Sequence, residues 1–376
     1  MEVYLDNAAT TRVCSEAADI AYKIMTECYG NPSSTHTKGR EAKAYLDTAR
    51  AQIAKALGCT PAELYFTSCG SESDVWAITK GAESLARRGK HIISSAVEHD
   101  AVRKTLADLE ARGFEVTYLK PERGGGISVE AVRNALRSDT ILITLMMVNN
   151  ETGAVTDIAG IAKMLKAEGS KALLHTDAVQ GFMKVPFSAK KLGADMISIS
   201  GHKIHAPNGI GALYIKTAVK IKPLIHGGAQ ESGLRAGTEA MPQIAAFGKA
   251  AEIAFAGMKD NCESMASLRE SAAAEISSRI PEAIIIGGGA PHILNVSLPG
   301  WRSEVLMNFL EAKGIFVSRS SACKKGGRSH VLEAMGLPAP VIDGAIRISF
   351  SRMSTPDDVD ALVQALGEAH DTLAHR

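Results

Sequence analysis

Between residues 38 and 215, short apolar runs alternate with amphipathic stretches, and this alternation restricts the chain to few architectures. In the first amphipathic stretch, Leu46, Ile53 and Leu57 fall on one helical face, and Gly58 suits the end of a helix. Strands that alternate with helices predict a mostly parallel sheet covered by helices on both faces. The apolar runs span 63–67, 91–96, 115–119, 140–149, 171–178, 195–200 and 211–215.

Two departures from this alternation refine the expected architecture. The runs 195–200 and 211–215 leave no room for a helix between them, so we expect part of the sheet to be antiparallel. After a long helical pattern over 241–258, the chain continues with shorter elements that indicate a smaller α/β unit. The sequence therefore predicts an α/β chain with a mixed, mostly parallel sheet and a second unit.

The composition excludes several classes of protein. Lys plus Arg (42) nearly balances Asp plus Glu (41), whereas a nucleic-acid-binding surface usually has a basic excess. No apolar run approaches the length of a transmembrane helix, so we expect no membrane partner. The beginning MEVYLDNAATT lacks the features of a secretory signal, and the 6 cysteines form no C-x-x-C pair. We therefore expect reduced thiols and a cytoplasmic location.

Asp177 and Lys203 are the first candidates for catalysis. Asp177 ends an apolar run, where open α/β sheets place ligand-contacting groups, and Lys203 follows the next run. Such a pair is typical of a pyridoxal 5′-phosphate (PLP) site, in which the aspartate keeps the pyridine nitrogen protonated and the lysine binds the cofactor covalently. Each residue alone also fits a capping aspartate or a surface lysine. His202 and His205 lack a third ligand at zinc spacing, so no metal site is expected.

A phosphate site is the next requirement, and the stretch 66–74 offers one. Gly70 and Ser71 precede a predicted helix, so their backbone N–H groups would face an anion at the positive end of the helix dipole. Ser71 and Asp74 have the spacing of a capping box. An ordinary serine-capped helix explains the same stretch equally well, and at this point both interpretations stay open.

Taken together, the motifs resemble those of PLP-dependent cysteine desulfurases of the NifS/IscS type, within the class V aminotransferase superfamily. The resemblance implies a fold-type I PLP-dependent transferase with a segment 1–14 near the small domain, a large PLP-binding domain 15–255, and a small domain 256–376 carrying the active cysteine. The motifs are YLDNAATT (4–11), YGNPSS (29–34), GREA (39–42), FTSCGSES (66–73), VEHDAV (97–102), VNNETG (148–153), HTDAVQ (175–180), SGHKIHAPNGIGALYI (200–215), ESGLRAGTE (231–239), LNVSLPG (294–300), SSAC (320–323) and IRISFSR (346–352).

The same resemblance assigns roles to individual residues. It implies that Lys203 binds PLP and moves the substrate Cα proton, that His99 stacks on the ring and serves in acid–base steps, and that Cys323 accepts the sulfur. Asp177 would pair with the pyridine nitrogen, and Gln180 would donate to the ring hydroxyl oxygen. The remaining implied sites are the phosphate site (Gly70, Ser71, Ser200 and His202), Thr238 reaching the phosphate of the other subunit of a homodimer, and the substrate carboxylate site (Asn150 and Arg347).

The implied activity converts L-cysteine to L-alanine and leaves the sulfur on Cys323 as a persulfide. Neighbouring Lys324 and Lys325 would lower the pKa of that thiol, and Gly326 and Gly327 would give its tether freedom. An unidentified acceptor protein would then take the sulfur for Fe–S clusters, thio-cofactors or tRNA thiolation. The alternatives are a selenocysteine lyase, a cysteine or cystine lyase, and a sulfur-relay partner with little turnover.

Overall fold

The computed structural model describes residues 2–320 and 327–373. The helices are α1 (Ser15–Thr26), α2 (Thr37–Leu57), α3 (Gly70–Leu85), α4 (Asp100–Ala111), α5 (Val129–Ala135), α6 (Ile158–Ala167), α7 (Ala189–Leu192), α8 (Met241–Ala256), α9 (Met258–Arg279), α10 (Ser303–Ala312), α11 (His330–Ala334), α12 (Ala339–Asp343) and α13 (Pro356–Thr372). The strands are β1 (Val3–Tyr4), β2 (Leu64–Thr67), β3 (His91–Ser95), β4 (Glu115–Leu119), β5 (Thr140–Thr144), β6 (Leu173–Asp177), β7 (Met196–Ser200), β8 (Gly211–Ile215), β9 (Ile284–Ile286), β10 (Ile293–Ser297), β11 (Ile315–Phe316), β12 (Ser318–Arg319) and β13 (Ala345–Ser349).

The larger sheet has seven strands in the order β2-β8-β7-β6-β5-β3-β4. Strand β8 runs antiparallel to both β2 and β7, and the remaining neighbours pair in parallel. The predicted mixed, mostly parallel α/β sheet is therefore confirmed. Because parallel strands run in one direction, β3, β5, β6 and β7 all end at the same edge of the sheet.

Helices bury both faces of this sheet, as the continuous apolar runs of its strands require. On one face Trp76 of α3 and Leu106 of α4 pack against Leu142 and Met196 of the sheet, all of them fully buried. The opposite face is buried against α2 and α8 among other elements, with Phe247 in its core. This two-sided packing holds the strand ends in fixed positions.

The second unit is built on an antiparallel sheet, β12-β13-β10-β9. Its core contains Leu268 from α9, Val296 from β10 and Leu362 from α13. The N-terminal strand β1 pairs with β11, and Val3 and Leu5 belong to the same core. The boundaries of the three segments expected from the resemblance stay a prediction. In the described ranges, no helix combines the length and the apolar character that a membrane span requires.

Local signals at helix ends have mixed outcomes. Gly58 ends α2 with a φ of 72°, which confirms the predicted role of that glycine. The capping box predicted for Ser71 and Asp74 is wrong, because α3 already begins at Gly70 and its N-cap, Cys69, makes no side-chain capping hydrogen bond. The side chain of Asp74 is buried instead, since it faces the strands beneath the helix.

Candidate active site

A cavity of about 380 Å³ lies where β6 and β7 end. That volume falls in the range typical of small-molecule sites, which bind at this edge of open α/β sheets. The structure brings together most of the predicted site residues here: Gly70, Ser71, His99, Asn150, Asp177, Gln180, Ser200, His202, Lys203 and Arg347 all line the cavity.

Lys203 follows β7 in a 3-10 turn spanning Gly201–Lys203. Its Nζ donates hydrogen bonds to the carbonyl oxygens of Ala8 at 2.7 Å and Ala9 at 2.6 Å. Burial and, to a smaller extent, the nearby charge of Arg347 together lower the pKa of Lys203 to about 8, against the opposite effect of Asp6 and Asp177. A substantial fraction of this lysine is therefore an unprotonated, nucleophilic amine at mildly alkaline pH.

Asp177 ends β6 and is buried. Burial raises its pKa, while His99, the backbone N–H of Val179 (2.9 Å from Asp177 Oδ1) and Lys203 favour the ionised form. Asp74 lies in the same wall, and burial together with the charge of Asp177 raises its pKa well above the usual range. We infer that Asp177 ionises first and that Asp74 keeps its proton. Of this pair, Asp177 is therefore the carboxylate suited to a protonated ring nitrogen.

The beginning of α3 forms one end of the cavity. Because Cys69 makes no side-chain cap, the backbone N–H groups of the first turn are available to an anion. A Cβ on Gly70 would lie 2.6 Å from Cγ2 of Val179, so only glycine lets the beginning of α3 pack this closely against Val179, another residue of the cavity wall. The buried Oγ of Ser200 has no hydrogen-bond partner in the described part of the chain. Together these groups form a cradle for a phosphate.

His202 stands beside this cradle as a neutral imidazole. Burial lowers its pKa to about 4, and the charges of Lys203 and Lys184 add to the effect. One ring nitrogen, Nδ1, lies 3.3 Å from Oγ1 of Thr10. A neutral histidine still donates one N–H, which is what a phosphate oxygen accepts. A cradle for a phosphate, a carboxylate for a ring nitrogen and a nucleophilic amine for an aldehyde are the groups that PLP requires, so the residues present fit this cofactor.

His99 and Gln180 are held by bonds of their own. His99 is the N-cap residue of α4, and its Nδ1 accepts a hydrogen bond from the N–H of Ala101 at 3.1 Å. The Nε2 of Gln180 donates to the carbonyl oxygen of Ala8 at 2.8 Å, the same oxygen that Lys203 contacts. Donation by Gln180 to a ring hydroxyl oxygen stays a prediction, and the second N–H of Nε2 could make it without loss of the bond to Ala8.

Arg347 lies on β13 of the second unit and is 3% exposed. Its Nη1 donates to the carbonyl oxygen of Asn150 at 2.9 Å, and its Nη2 donates to Oδ1 of Asp6 at 2.8 Å. The buried Nε has no partner in the described residues. These contacts fix a guanidinium group in the cavity wall, where it can attract a substrate carboxylate.

A family model described as aminotransferase class-V matches residues 3–362 of this chain. The chain belongs to the class-V aminotransferase family. A cysteine desulfurase IscS of Methanosarcina thermophila is 44% identical over 371 residues, which cover 97% of this chain and 91% of that protein. A solved NifS-like protein is 38% identical with a TM-score of 0.94, over 99% of this chain and 100% of its own. Another, SspA in complex with cysteine, is 34% identical with a TM-score of 0.81, over 94% and 99%.

Membership in the class-V family confirms the resemblance to cysteine desulfurases, the fold type and the dependence on PLP. Two of the predicted site residues are not placed in the cavity. Thr238 is exposed and does not line the cavity. Cys323 lies outside the described residues.

The sequence reasoning missed three carboxylates: Glu151, which lines the cavity, and Asp6 and Glu98, which interact with residues of its wall. Asp6 and Glu151 fall within the motifs YLDNAATT and VNNETG, but neither motif indicates that these carboxylates act on Arg347. Glu98 is buried, and burial raises its pKa to about 8. The apolar residues Ala96 and Val97 immediately before Glu98 were the sequence signal that it faces inward.

The lowered pKa of Lys203 predicts the pH dependence of cofactor binding. The rate at which the PLP-free protein bonds covalently to PLP is expected to rise with pH to a midpoint near 8, because only the unprotonated amine attacks an aldehyde. Arg347→Met is expected to raise the midpoint, since it removes a cation that lowers the pKa of Lys203. Stopped-flow absorbance of bound PLP measures both.

The matched control is Arg352→Met, because Arg352 is not among the charges that act on Lys203. We expect it to leave the midpoint in place. A midpoint near the ordinary lysine value of 10.5 in the unmodified protein would contradict the assignment.

Proposed function

We propose that this protein is a cysteine desulfurase that converts L-cysteine to L-alanine with PLP held at Lys203. One observation carries the proposal: the buried amine of Lys203, with its lowered pKa, shares a cavity with the buried carboxylate of Asp177 and the fixed guanidinium of Arg347. The desulfurase names of relatives above 40% identity, and the cysteine bound to the related SspA, support the choice of substrate.

When bound, PLP supplies an electron sink that stabilises negative charge on the substrate Cα. Side chains of the protein bind the substrate and transfer its protons. Arg347 and Asn150 bind the substrate carboxylate, which fixes the Cα relative to Lys203. Lys203 takes the proton from the Cα and returns it to the carbon skeleton, while Asp177 holds the proton on the ring nitrogen.

Cys323 is proposed as the sulfur acceptor. Its thiolate attacks the sulfur of the substrate, an S–S bond forms, and the electron pair of the breaking C–S bond passes to the carbon skeleton. That skeleton gains a proton and leaves as alanine. Cysteine and the Cys323 thiol thus give alanine and a Cys323 persulfide, with no external oxidant or reductant.

Two further parts of the proposal concern partners. Thr238 is exposed outside the cavity, which suits a residue that completes the phosphate site of a second subunit in a homodimer. The outer sulfur of the persulfide would pass to an acceptor protein, which would deliver it to Fe–S clusters, thio-cofactors or thiolated tRNA. Analytical ultracentrifugation of the wild type and of Thr238→Ala, with PLP retention measured in parallel, separates a dimer from a monomer and tests the shared site.

The function itself is tested by incubating the PLP-loaded protein with cysteine. We expect stoichiometric alanine in the first turnover and one added sulfur on the peptide that contains Cys323, detected by mass spectrometry. Alanine without any protein persulfide would indicate a lyase instead. A persulfide on another cysteine would overturn the assignment of Cys323.

A further inference from the structure

The segment 229–238, called the 229–238 loop below, carries Thr238 and is anchored near its beginning by a buried ion pair. Glu231 accepts hydrogen bonds from both terminal nitrogens of Arg50, at 2.6 and 2.9 Å, and from the backbone N–H of Phe66 at 2.8 Å. The side chains of Glu231 and Arg50 are 3% and 17% exposed. A bidentate pair fixes the relative orientation of its two partners, so Glu231 holds the loop against α2 and β2.

Arg50 is itself held by β2. Its Nη1 also donates to the carbonyl oxygen of Leu64 at 2.6 Å, and its guanidinium lies over the ring of Phe66, 4.6 Å from the ring centre. The attraction between a cation and an aromatic face adds to these hydrogen bonds. Because Leu64 and Phe66 belong to the edge strand of the larger sheet, the loop is anchored to the packed core of the large unit.

The backbone at this anchor is strained. Glu231 and Ser232 have φ values of 46° and 57° within a 3-10 turn that spans Gln230–Gly233. Residues with a Cβ avoid this left-handed region, and two in succession persist only where the surrounding structure imposes the conformation. The three hydrogen bonds of the Glu231 carboxylate supply such a constraint. We therefore expect the turn to relax when these bonds are lost.

The far end of the loop folds back onto the anchor. The N–H of Gly237 donates to the side-chain Oε1 of Gln230 at 3.4 Å. Gln230 is the immediate neighbour of Glu231, and Thr238 follows Gly237 directly. One side chain therefore joins the strained turn to the backbone that carries Thr238.

A second ion pair joins the loop to the phosphate cradle of its own subunit. Arg235 donates to Glu72, in the first turn of α3, from Nε at 2.8 Å and from Nη2 at 3.3 Å. The Glu72 carboxylate also accepts the backbone N–H of Ser68 at 2.8 Å. Glu72 follows Ser71, a residue of the cradle, so the loop is fixed relative to that cradle at a second point.

We propose that Glu231 is a positioning residue for the cofactor, which holds the 229–238 loop in the conformation that lets Thr238 reach the phosphate site of a second subunit. The inference rests on the homodimer with a shared phosphate site under the proposed function. Its physical basis is that a binding group contributes most when it is already held in place before the ligand arrives. Since Arg235 of the same loop contacts the cradle of its own subunit, the loop would connect the two phosphate sites of the dimer.

Hydrogen exchange of the PLP-loaded protein tests the anchor without relying on activity. The backbone N–H groups of Gly233, Leu234 and Ala236 are hydrogen-bonded and should exchange slowly in the wild type. Glu231→Gln and Arg50→Met each break the ion pair and leave one partner without its counter-charge. Because loss of one buried hydrogen bond corresponds to roughly a tenfold larger opened population, these amides should exchange roughly tenfold faster in either variant.

A rescue variant tests whether strain opens the loop. Glycine adopts the left-handed region without steric cost, so adding Ser232→Gly to Glu231→Gln should recover part of the lost protection. Equal exchange with and without Ser232→Gly would refute strain as the cause of opening. Thermal melts verify that each variant is folded, and Arg50→Met decides the result if Glu231→Gln fails to fold.

The matched control is Asp139→Asn. Asp139 forms a bidentate pair with Arg137, with both bonds at 2.9 Å, and neither residue lines the main cavity or belongs to the 229–238 loop. The change of carboxylate to amide is the same as in Glu231→Gln. We expect this variant to leave both the exchange of the loop and the affinity for PLP unchanged.

Titration of the PLP-free protein with PLP, followed by absorbance, supplies the second measurement. Thr238→Ala should weaken PLP binding roughly tenfold, the effect of losing one hydrogen bond to a charged group, and Glu231→Gln should weaken it by up to the same factor. The variant with both changes should bind PLP no more weakly than Thr238→Ala alone, because both changes remove the same contact.

The possible outcomes separate the inference from the function on which it rests. Unchanged exchange in both Glu231→Gln and Arg50→Met would overturn the anchor. Unchanged PLP affinity in Glu231→Gln, or additive losses in the combined variant, would overturn the positioning role. Unchanged PLP affinity in Thr238→Ala would instead refute the shared phosphate site. The expected exchange and affinities in a protein that forms no alanine from cysteine would support the positioning role and refute the desulfurase.

Discussion

Lys203→Ala is expected to lower the rate of alanine formation from cysteine by at least about 10⁴-fold, the upper range for loss of a positioned acid–base group. The loss should be this large because Lys203 both bonds to PLP and moves the Cα proton. Among the described residues no other lysine lines the cavity, since the second buried lysine of this region, Lys184, lies outside it. The measurement is alanine quantification together with the absorbance spectrum, which should lose the band of covalently bound PLP.

Two further variants make the result specific. Lys203→Arg keeps the positive charge but should be equally inactive, because a guanidinium does not lose its proton near neutral pH. Lys190→Ala removes an exposed lysine at the end of α7 and should retain full activity. Turnover by Lys203→Ala above about a hundredth of the wild-type rate would contradict the role, since that loss is the lower limit for such a group.

Cys323→Ser has the second-largest expected effect. It should abolish the protein persulfide and lower multiple-turnover sulfur transfer by at least about 10²-fold, because a serine hydroxyl is not ionised near neutral pH and is a poor nucleophile towards sulfur. PLP absorbance and cysteine binding should be unchanged, since the residues assigned to them lie elsewhere in the chain. Mass spectrometry after a single exposure to cysteine, with alanine measured in parallel, provides the readout.

Cys59→Ser is the matched control for that experiment. Cys59 is half-buried, and burial raises the pKa of its thiol to about 12, with a further contribution from Glu63. A thiol of this kind stays protonated and should not accept sulfur. Sulfide release that survives in Cys323→Ser at the wild-type rate would exclude the persulfide route.

The fold was largely predictable because periodicity reports burial. Strands that are buried on both faces of a sheet appear in the sequence as continuous apolar runs. The short connection between β7 and β8 correctly predicted that these two strands pair antiparallel. Periodicity could not locate every boundary. Residues 315–319 form two short strands in different sheets, β11 and β12, because pairing partners far along the chain decide where a strand divides.

The candidate site was predictable where the position of a residue in the sheet indicates its chemical role. A lysine that follows a strand and an aspartate that ends one both lie at the edge where open α/β sheets bind ligands. Contacts between distant residues gave no such signal: the carbonyls of Ala8 and Ala9 at Lys203, and Glu151 at Ser329, join positions separated by 195, 194 and 178 residues. The capping box at Ser71 failed for a related reason, because burial of Asp74 outweighed its local preference for a helix end.

The contacts of residues 6–9 determine when the catalytic centre can form during synthesis of the chain. The carbonyls of Ala8 and Ala9 hold Lys203, Asp6 holds Arg347, and Asn7 donates to the carbonyl of Ser349 at 2.9 Å. The last of these bonds cannot form until residue 349 has been synthesised. Residues 6–9 leave the ribosome long before their partners and yet are among the last to reach their final positions, so the catalytic centre is completed only after residue 349 has emerged.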